Sequence, residues 1–303
     1  MTEKRRVIAL GFFDGVHIGH SALMRKILEI GGEKNLVPSV ITFDTHPQDL
    51  VSGAATPLIN SPEDRTGLIR RIFGIDDIIF LHFDSITACM PWDEFVDQVV
   101  DEFGARFLVA GYDFKFGHEG HGNSELLARK CEQSGVGCEI IPEVKCGGVT
   151  SSSTYIRELL LRGDMERANA FLGHPHVLTD VVRYGYKLGR TLGTPTINMR
   201  FQDGVLVPPF GVYATIVRLD DGSAHIGVTN IGVRPTIGSS SLITAETHIL
   251  DYHGNLYDHQ IRVEFYKRLR PEIKFDDIKN LEDQIHKDCK TAQRYFADFP
   301  SGD

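Results

Sequence analysis

The chain has 303 residues, of which 42% are hydrophobic and 24% charged, which is ordinary for a soluble globular protein and enough for two domains or one large one. The formal net charge of −9 argues against a nucleic-acid partner held through its phosphates, although a nucleotide would need only a local positive site. No apolar run is long enough to span a bilayer and no signal-peptide pattern follows the charged N-terminus, so we expect a cytoplasmic protein without a membrane partner.

The five cysteines are scattered along the chain and form no CxxC pair. This pattern predicts neither a zinc site nor a disulfide framework, and it suits a reducing compartment. The sequence leaves the oligomeric state open.

The stretch from Val7 to His20, VIALGFFDGVHIGH, predicts a strand, a tight turn and the beginning of a helix. A run of β-branched and aromatic residues up to Phe13 is typical of a buried strand, and Asp14-Gly15 is a turn signal. Beyond the histidines, apolar side chains recur at the spacing of one helix face, at Leu23, Ile27 and Ile30. The motif therefore predicts a helix that begins near His17.

The predicted helix start has the features of a phosphate site, because free N–H groups and the positive end of the helix dipole meet there. His17 and His20 lie three residues apart, so they share a face, and Gly19 leaves the space between them open. Two imidazoles so placed can donate to phosphate oxygens that gain charge during phosphoryl or nucleotidyl transfer. For an arbitrary histidine pair a solvated helix end is the simpler interpretation. Here the pair follows a strand and a turn that contains Gly11, Gly15 and Gly19, which favours the phosphate site.

The rest of the first half alternates predicted strands with predicted helices. The strands are residues 39–43, 76–83, 107–111 and 138–141, and the helices are residues 62–74, 92–103 and 125–134. This alternation predicts βαβ units and a parallel sheet covered by helices on both faces. Ligands bind beyond the carboxyl ends of such strands, where three polar or Gly-rich segments fall: Asp14-Gly15, residues 45–47 and residues 111–117.

A Ser/Thr-rich segment, residues 149–157, precedes another predicted helix. Its hydroxyls just before Ile156 are an N-cap signal, and a capped helix is the simplest interpretation. The functional alternative is a second phosphate-binding helix start, in which hydroxyls and Arg157 bind a triphosphate.

The second half has a different pattern. From Val177 to about Phe275 helical periodicity is absent, and turn signals separate short β runs at residues 181–184, 212–217, 224–228, 242–250 and 260–265. Many short strands with regular turns predict a small antiparallel barrel or sandwich. Residues 275–296 predict a closing amphipathic helix that packs on it through Ile278, Leu281, Ile285, Ala292 and Phe296. We therefore expect domains at residues 1–175 and 176–303.

Two segments of the second half carry candidate chemistry. Residues 189–198, GRTLGTPTIN, predict a Gly/Pro turn in which the hydroxyl of Thr196 and the amide of Asn198 suit a nucleotide phosphate and its Mg²⁺. Glu246 lies on a predicted alternating strand, where a Glu most often occupies the solvent side.

Motifs in the first half resemble those of one enzyme family. Residues 11–20 resemble the HxGH signature of nucleotidylyltransferases and, more narrowly, the GxFDGVHxGH form of bacterial bifunctional riboflavin kinase/FMN adenylyltransferases (FAD synthetases). Residues 152–157 are similar to the SSTxIR element of the same family, and Asp113 falls in a segment similar to its G-x-[DN]-F-x-[FY]-G pattern.

Motifs in the second half resemble the same family. Residues 189–198 resemble its GRxLGxPTAN motif, with Thr194 for Phe and Ile197 for Ala, and residues 246–251 resemble its ETHxxD segment. Residues 230–236 and 268–272 also match family segments that flank the flavin site. The resemblance therefore covers nearly the whole chain.

The resemblance implies an α/β plus β architecture. A Rossmann-like nucleotidylyltransferase domain with a parallel sheet would be followed by a small antiparallel β-barrel of the riboflavin kinase type with a terminal helix. The barrel would phosphorylate riboflavin with MgATP to FMN, and the first domain would adenylylate FMN with ATP to FAD and pyrophosphate. The implied cofactor is Mg²⁺, and the implied partners are small molecules only.

The resemblance also implies roles for individual residues. Glu246 would be the base of the kinase reaction, which suits a primary alcohol that must lose its proton, while His17 and His20 would stabilise charge on the α-phosphate of ATP. ATP and its phosphates would be bound by Gly11, Phe12, Asp14, Gly19, Ser153, Thr154, Arg157, Gly193, Thr196 and Asn198, of which Thr196 and Asn198 would also bind the metal. The flavin would contact Asp113, Arg234 and Arg270.

Two departures from the family pattern leave alternatives open. Residues 118–122, HEGHG, hold no Lys or Arg where family members often carry basic residues, and Thr45 stands where Pro is usual. One alternative is therefore a riboflavin kinase whose first domain is weak or altered in substrate. A second is a flavin-sensing binding protein without turnover, against which the joint presence of the histidines, Thr196, Asn198 and Glu246 argues.

Overall fold

The computed structural model describes residues 4–45, 55–184, 195–235 and 241–298, and the chain divides into two compact units, Met1–Ser153 and Thr154–Asp303. The first unit contains, in chain order, β1 Arg6–Leu10, α1 Ile18–Lys34, β2 Val37–Phe43, α2 Pro62–Phe73, β3 Asp77–Leu81, α3 Ser85–Ala88, α4 Trp92–Asp101, β4 Ala105–Gly111, α5 Ser124–Gln133, β5 Gly137–Ile141, β6 Lys145–Cys146 and β7 Val149–Thr150. Among the described residues, no helix is both long and apolar enough to cross a bilayer.

Strands β1 to β5 form one parallel sheet in the order β3-β2-β1-β4-β5. The predicted α/β architecture with a parallel sheet is thereby confirmed. The strand order reverses between β1 and β4, and ligands bind beyond the carboxyl ends of the strands at such a reversal. The histidine motif follows β1 directly, so the fold places it at this crevice.

Helices cover the sheet because its strands are apolar on both faces. Ile8 and Leu10 of β1 are at most 2% exposed and belong to one core cluster with Leu108 of β4, Val99 of α4 and Leu127 of α5. Burying each such side chain contributes about 1.5–3 kcal/mol. This packing fixes the backbone from which the motif projects.

The second unit contains the helices α6 Ser153–Arg162, which begins at the boundary, α7 Met165–Leu172 and α8 Ile278–Ala297. Its strands are β8 His176–Val181, β9 Thr196–Arg200, β10 Gly211–Arg218, β11 Ala224–Pro235, β12 Ser241–Ile249 and β13 Gln260–Pro271. They form an antiparallel sheet in the order β8-β13-β10-β11-β12-β9. The sheet curls until its two edges meet, where the N–H of Arg183 donates to the carbonyl of Asn198 at 2.9 Å. The predicted small barrel is confirmed.

Alternation along the strands separates an inner from an outer face of the curled sheet. On the inner face the hydroxyls of Thr215, Thr229 and Thr247 form a fully buried hydrogen-bonded row, with oxygen separations of 2.9 and 2.8 Å. On the outer face α8 packs through Ala292, which is fully buried, against Val212. The apolar stripe predicted for the terminal helix therefore packs as expected at its C-terminal end.

Helix α7 packs against the sheet of the second unit. The side-chain amide of Asn169 donates to the carbonyl of Phe265 at 2.8 Å, and its oxygen accepts from the N–H of His176 at 2.9 Å. Glu166 pairs with Lys267 at 3.2 Å. Such non-local bonds are not visible in the sequence, where a Gly/Pro stop at residues 173–175 predicts the boundary. The boundary between the two compact units lies at 153/154, and the functional boundary after residue 175 stays a prediction.

We expect His176 to make the second unit sensitive to acid. Both ring nitrogens of this fully buried side chain lack a hydrogen-bond partner among the residues that the structure describes. Burial, helped by the charge of His174, lowers the pKa of His176 to about 3. The unfolded chain takes up a proton near pH 6.5 and the folded chain does not, so stability is lost as the pH falls from about 6.5 towards 3. Between pH 7 and 5 the loss from this residue should be about 2 kcal/mol.

Urea unfolding followed by circular dichroism at pH 7 and 5 measures this loss, and His176→Phe should reduce it by that amount. Trp92, the single tryptophan, lies in the first unit, so its fluorescence provides a control transition that the substitution should leave in place. An equal loss in wild type and variant would contradict the assignment.

Candidate functional site

The turn after β1 has a backbone that places two histidines at the start of α1. Phe13, Gly15 and Val16 have positive φ angles of 58°, 81° and 43°, so the chain reverses within a few residues. His17 is then the N-cap of α1, and its Nδ1 accepts the N–H of His20 at 3.3 Å. The prediction that a helix begins near His17 is confirmed.

The two imidazole rings stack on one another, with centroids 3.5 Å apart and planes 19° from parallel. Phe13 meets His20 edge-on at 5.2 Å. A Cβ atom on Gly19 would lie 2.9 Å from Cε1 of His17, so only glycine leaves room for this ring. Burial first, and then the nearby charges of His17 and Arg65, hold the pKa of His20 well below its usual range, so the ring is neutral at pH 7.

The carboxylate of Asp14 accepts hydrogen bonds from backbone N–H groups. It is 2% exposed, Oδ1 accepts the N–H of Ile59 at 2.9 Å and that of Asn60 at 3.3 Å, and Oδ2 accepts from Ile59 at 3.1 Å. Asp14 thus ties the segment before α2 to the motif turn. The backbone carbonyl of Asp14 accepts a hydrogen bond from the hydroxyl of Ser153 at 2.9 Å. This bond places Ser153, which was predicted to bind phosphate, beside the motif.

Three residues of the first unit bury polar side-chain atoms without a hydrogen-bond partner in the described structure. These atoms are Nδ1 of His20, Nε of Arg65 and both amide atoms of Asn60. Because buried polar atoms are nearly always satisfied, their concentration around one turn indicates a site that binds a polar ligand. Arg65 and Asn60 were missed by sequence reasoning, which found no motif at either position.

The remaining predicted residues of the first site are placed as follows. Gly11 and Phe12 follow β1, and Asp113 lies exposed just after β4, at the same edge of the sheet. Thr154 and Arg157 belong to the second compact unit, so their part in the phosphate site stays a prediction. The segment His46-Pro47 lies outside the described residues.

The segment that departs from the family pattern is a short 3-10 turn, His118–Gly120, after β4. Nε2 of His118 and Nε2 of His121 lie 3.9 and 3.6 Å from the carboxylate of Glu119. All three side chains are largely exposed. The turn therefore offers imidazoles at the position where members of the family that the motif resembles often carry basic residues.

A second site lies on the outer face of the curled sheet. Asn198 of β9, Glu246 of β12 and Asn230 of β11 are direct cross-strand neighbours, and Thr196 lies opposite His248 one step along the same face. Opposed side chains on a sheet have Cβ atoms about 5 Å apart, so these groups form one polar patch. Nδ1 of His248 bonds the carbonyl of Pro195 at 3.0 Å and so fixes the start of β9.

This patch lines a cavity of about 300 Å³ between the sheet and α8. The cavity is lined by Thr196, Val212, Val228, Asn230, Glu246, His248, Arg270, Glu272, Ile273, Phe275, Leu281, Ile285 and Asp288. Glu246 thus lies on the outer face as predicted for a strand Glu, but it lies in a cavity beneath a helix. Leu281 and Ile285, predicted as core, line this cavity instead, and Ile278 is 62% exposed.

Arg270 reaches the cavity wall, but its guanidinium is bound to α8. Its Nε and Nη2 atoms lie 2.8–3.1 Å from the carboxylate of Asp288, which is 5% exposed and also accepts from Gln284 at 2.9 Å. Such a bidentate charge-assisted pair holds the helix against β13. Gly193 and the side chain of Arg234 lie outside the described residues.

Asp288→Asn should lower the stability of the second unit by about 2 kcal/mol, because the amide leaves the half-buried guanidinium of Arg270 without its charge partner. Urea unfolding followed by circular dichroism measures the change. Asp283→Asn is the matched control, since Asp283 is an exposed acid on the same helix and should change stability little. Equal effects of the two substitutions would contradict a clamp between Arg270 and Asp288.

The second site has oxygen ligands that fit Mg²⁺. A hydroxyl, amide oxygens and a carboxylate are the hard ligands that this ion prefers when phosphates and waters complete its shell. Among the described residues, no group of three His, Cys, Asp or Glu side chains could hold a metal ion by itself.

Comparison with protein-family models matches both units. Residues 1–155 match the model described as FAD synthetase, and residues 172–296 match the model described as riboflavin kinase.

Whole proteins and solved structures also resemble the chain. The Bifunctional riboflavin kinase/FMN adenylyltransferase of Bacillus subtilis is 35% identical over 299 residues, with 97% of this chain and 94% of that protein covered. The protein of the same name from Escherichia coli K12 is 33% identical, with 96% and 92% covered. A crystal structure titled Macrolide-efflux Protein from Streptococcus pneumoniae is 27% identical and superposes with a TM-score of 0.84 over 97% of this chain and 95% of that one.

Proposed function

The chain belongs to the family of bifunctional riboflavin kinase/FMN adenylyltransferases, and from that membership we propose that each of its two sites carries one of the two reactions. The chain is an enzyme that phosphorylates riboflavin with ATP to FMN and adenylylates FMN with ATP to FAD and pyrophosphate. Because models of both domains match, the alternative of a kinase with an altered first domain is not supported. We place the functional boundary at residues 175/176 and the enzyme in the cytoplasm.

The kinase reaction is assigned to the cavity beside α8, and the observation that supports it is Glu246 beside Asn198 within the polar patch. Glu246 takes the proton of the primary hydroxyl of riboflavin as the oxygen attacks the γ-phosphorus of ATP. The bond between the γ-phosphorus and the β–γ bridging oxygen breaks, and ADP leaves. Thr196 and Asn198, which Gly193 precedes in the chain, would hold the phosphates and Mg²⁺. Mg²⁺, when bound, neutralises charge that develops on the transferred phosphoryl group.

The flavin of the kinase reaction lies against the wall that α8 supplies. Leu281 and Ile285 give this wall an apolar surface suited to an aromatic ring system. Arg270 supports the wall through Asp288, and Arg234 is assigned to the flavin from the family motif alone.

Adenylyl transfer is assigned to the motif after β1. A phosphate oxygen of FMN attacks the α-phosphorus of ATP, the bond to the bridging oxygen breaks, and pyrophosphate leaves. His17 and His20 donate to oxygens of the α-phosphate, and the backbone of Gly11, Phe12 and Gly19 lets the nucleotide approach. No covalent nucleophile is needed, because positioning and electrostatics suffice.

The other predicted residues of this first reaction act on its two substrates. Ser153, Thr154 and Arg157 bind the β- and γ-phosphates, and Asp113 contacts the flavin. Asp14 acts by holding the turn, because its carboxylate bonds to backbone N–H groups.

Incubation of the purified protein with riboflavin, ATP and Mg²⁺, followed by chromatography of the flavins, tests the proposal. Riboflavin should pass to FMN and then to FAD. Accumulation that stops at FMN would overturn the assignment of adenylyl transfer, and unchanged riboflavin would overturn that of the kinase site.

A further inference from the structure

Arg65 of α2 is 1% exposed, and no motif in the sequence includes it. Arginine is rarely buried, because removal of its charge from water costs free energy that partners must offset. Its burial beside the histidine motif therefore calls for a physical reason.

The guanidinium of Arg65 joins the ends of two neighbouring parallel strands. Nη1 donates to the carbonyl of Phe12 at 2.5 Å and to the hydroxyl of Thr42 at 3.2 Å, and Nη2 donates to the carbonyl of Phe43 at 3.1 Å. The hydroxyl of Thr42 itself donates to the carbonyl of Phe12 at 2.8 Å. Phe12 follows β1 and Phe43 ends β2, so these bonds lie at the edge where the sheet binds ligands.

The aromatic ring of Phe12 adds to this arrangement, because the guanidinium carbon lies 4.5 Å from its centroid. The backbone of Phe12 leads directly into the positive-φ turn that ends at His17. A shift at Phe12 would therefore move the helix start that carries both histidines.

We propose that Arg65 is a positioning residue for adenylyl transfer, which holds the turn from Phe12 to Asp14, and with it His20, in the geometry that the reaction needs. The inference rests on the function proposed for the first site. Arg65 does not have to touch the substrate for this role.

The charge of Arg65 has a second consequence, for the protonation of His20. The charged or titratable groups that act on His20 are His17, at the start of its own helix, and Arg65, from α2. Both oppose a proton on His20, as does burial, so its pKa is low. Burial lowers the pKa of Arg65 to about 10, and the nearby carboxylates of Asp14, Asp44 and Glu63 oppose this decrease. Arg65 therefore stays a cation.

Three variants of the full chain test the proposal. Arg65→Lys keeps the charge and loses the planar guanidinium with its several N–H donors, and Arg65→Met loses both. Arg70→Met, the control, removes an exposed arginine of the same helix. The measurements are kcat and KM for FAD formation from FMN and ATP, the pH profile of kcat/KM, and the titration of the His20 ring by NMR.

We expect Arg65→Lys to lower kcat about 10-fold and to leave the pKa of His20 in place, since the charge remains. Arg65→Met should lower kcat about 100-fold. It should also raise the pKa of His20, because a positive charge that opposes the protonation of this ring is lost, and the acid limb of kcat/KM then moves to higher pH. Arg70→Met should match wild type in all three measurements.

Arg65→Met with wild-type kcat and wild-type His20 titration would overturn the proposal. If Arg65→Met does not fold, Thr42→Val replaces it, because this change removes the hydroxyl to which Nη1 of Arg65 donates and removes no charge. It should lower kcat several-fold without a shift in the pH profile, and an unchanged kcat would overturn the proposal. A wild-type chain that makes no FAD would refute the proposed function. The NMR titration, which needs no turnover, would then still show whether Arg65 acts on the ring of His20.

Discussion

Glu246→Gln should strongly lower the formation of FMN and leave the adenylylation of added FMN unchanged. The amide keeps the size of the side chain and its place among Asn198 and Asn230, but it cannot take the proton of the attacking alcohol. Loss of a general base costs about 10²–10⁴-fold in rate, so kcat for riboflavin phosphorylation should fall within that range.

Two assays on the same preparation measure this result. Riboflavin with MgATP reports the kinase site, and FMN with MgATP reports adenylyl transfer, with flavins separated by chromatography. Glu272→Gln is the matched control, because Glu272 is a second carboxylate of the same cavity and should keep most of the kinase activity. If Glu272→Gln were the inactive variant and Glu246→Gln the active one, the assignment of the base would be wrong.

Local patterns predicted the parts of this enzyme that depend on local chemistry. Apolar runs predicted the parallel sheet, and turn signals with short β runs predicted the curled antiparallel sheet. The spacing of His17 and His20 predicted a shared helix start, which the stacked rings now show. Thr196 and Glu246 lie 50 positions apart in the chain, and only the family resemblance predicted that they belong to one site. The strand register places their segments side by side.

Non-local bonds account for what the sequence did not predict. The carboxylate of Asp14 binds N–H groups 45 and 46 positions away, and Arg65 binds the carbonyl of Phe12 across 53 positions. Arg270 has the residue type expected for a flavin contact, yet its guanidinium is bound to Asp288, 18 positions on. In each case a charged side chain forms structural bonds beside a proposed ligand site, with backbone for Asp14 and Arg65 and with a carboxylate for Arg270.

His20→Ala should have the converse effect to Glu246→Gln. The change removes a neutral ring N–H that we assign to the α-phosphate, and loss of one such donor costs about 10²–10³-fold in kcat. FAD formation from FMN should fall within that range, whereas FMN formation from riboflavin should stay at the wild-type rate, because that reaction is assigned to the second unit.

His20→Gln distinguishes a lost donor from a disturbed turn. Its amide supplies an N–H but lacks the aromatic ring that stacks on His17 and meets Phe13, so FAD formation should lie between that of wild type and that of His20→Ala. Equal losses in both variants would indicate that the ring acts through packing alone. If His20→Ala removed both activities from a chain that still unfolds like wild type, the assignment of the two reactions to separate sites would be wrong.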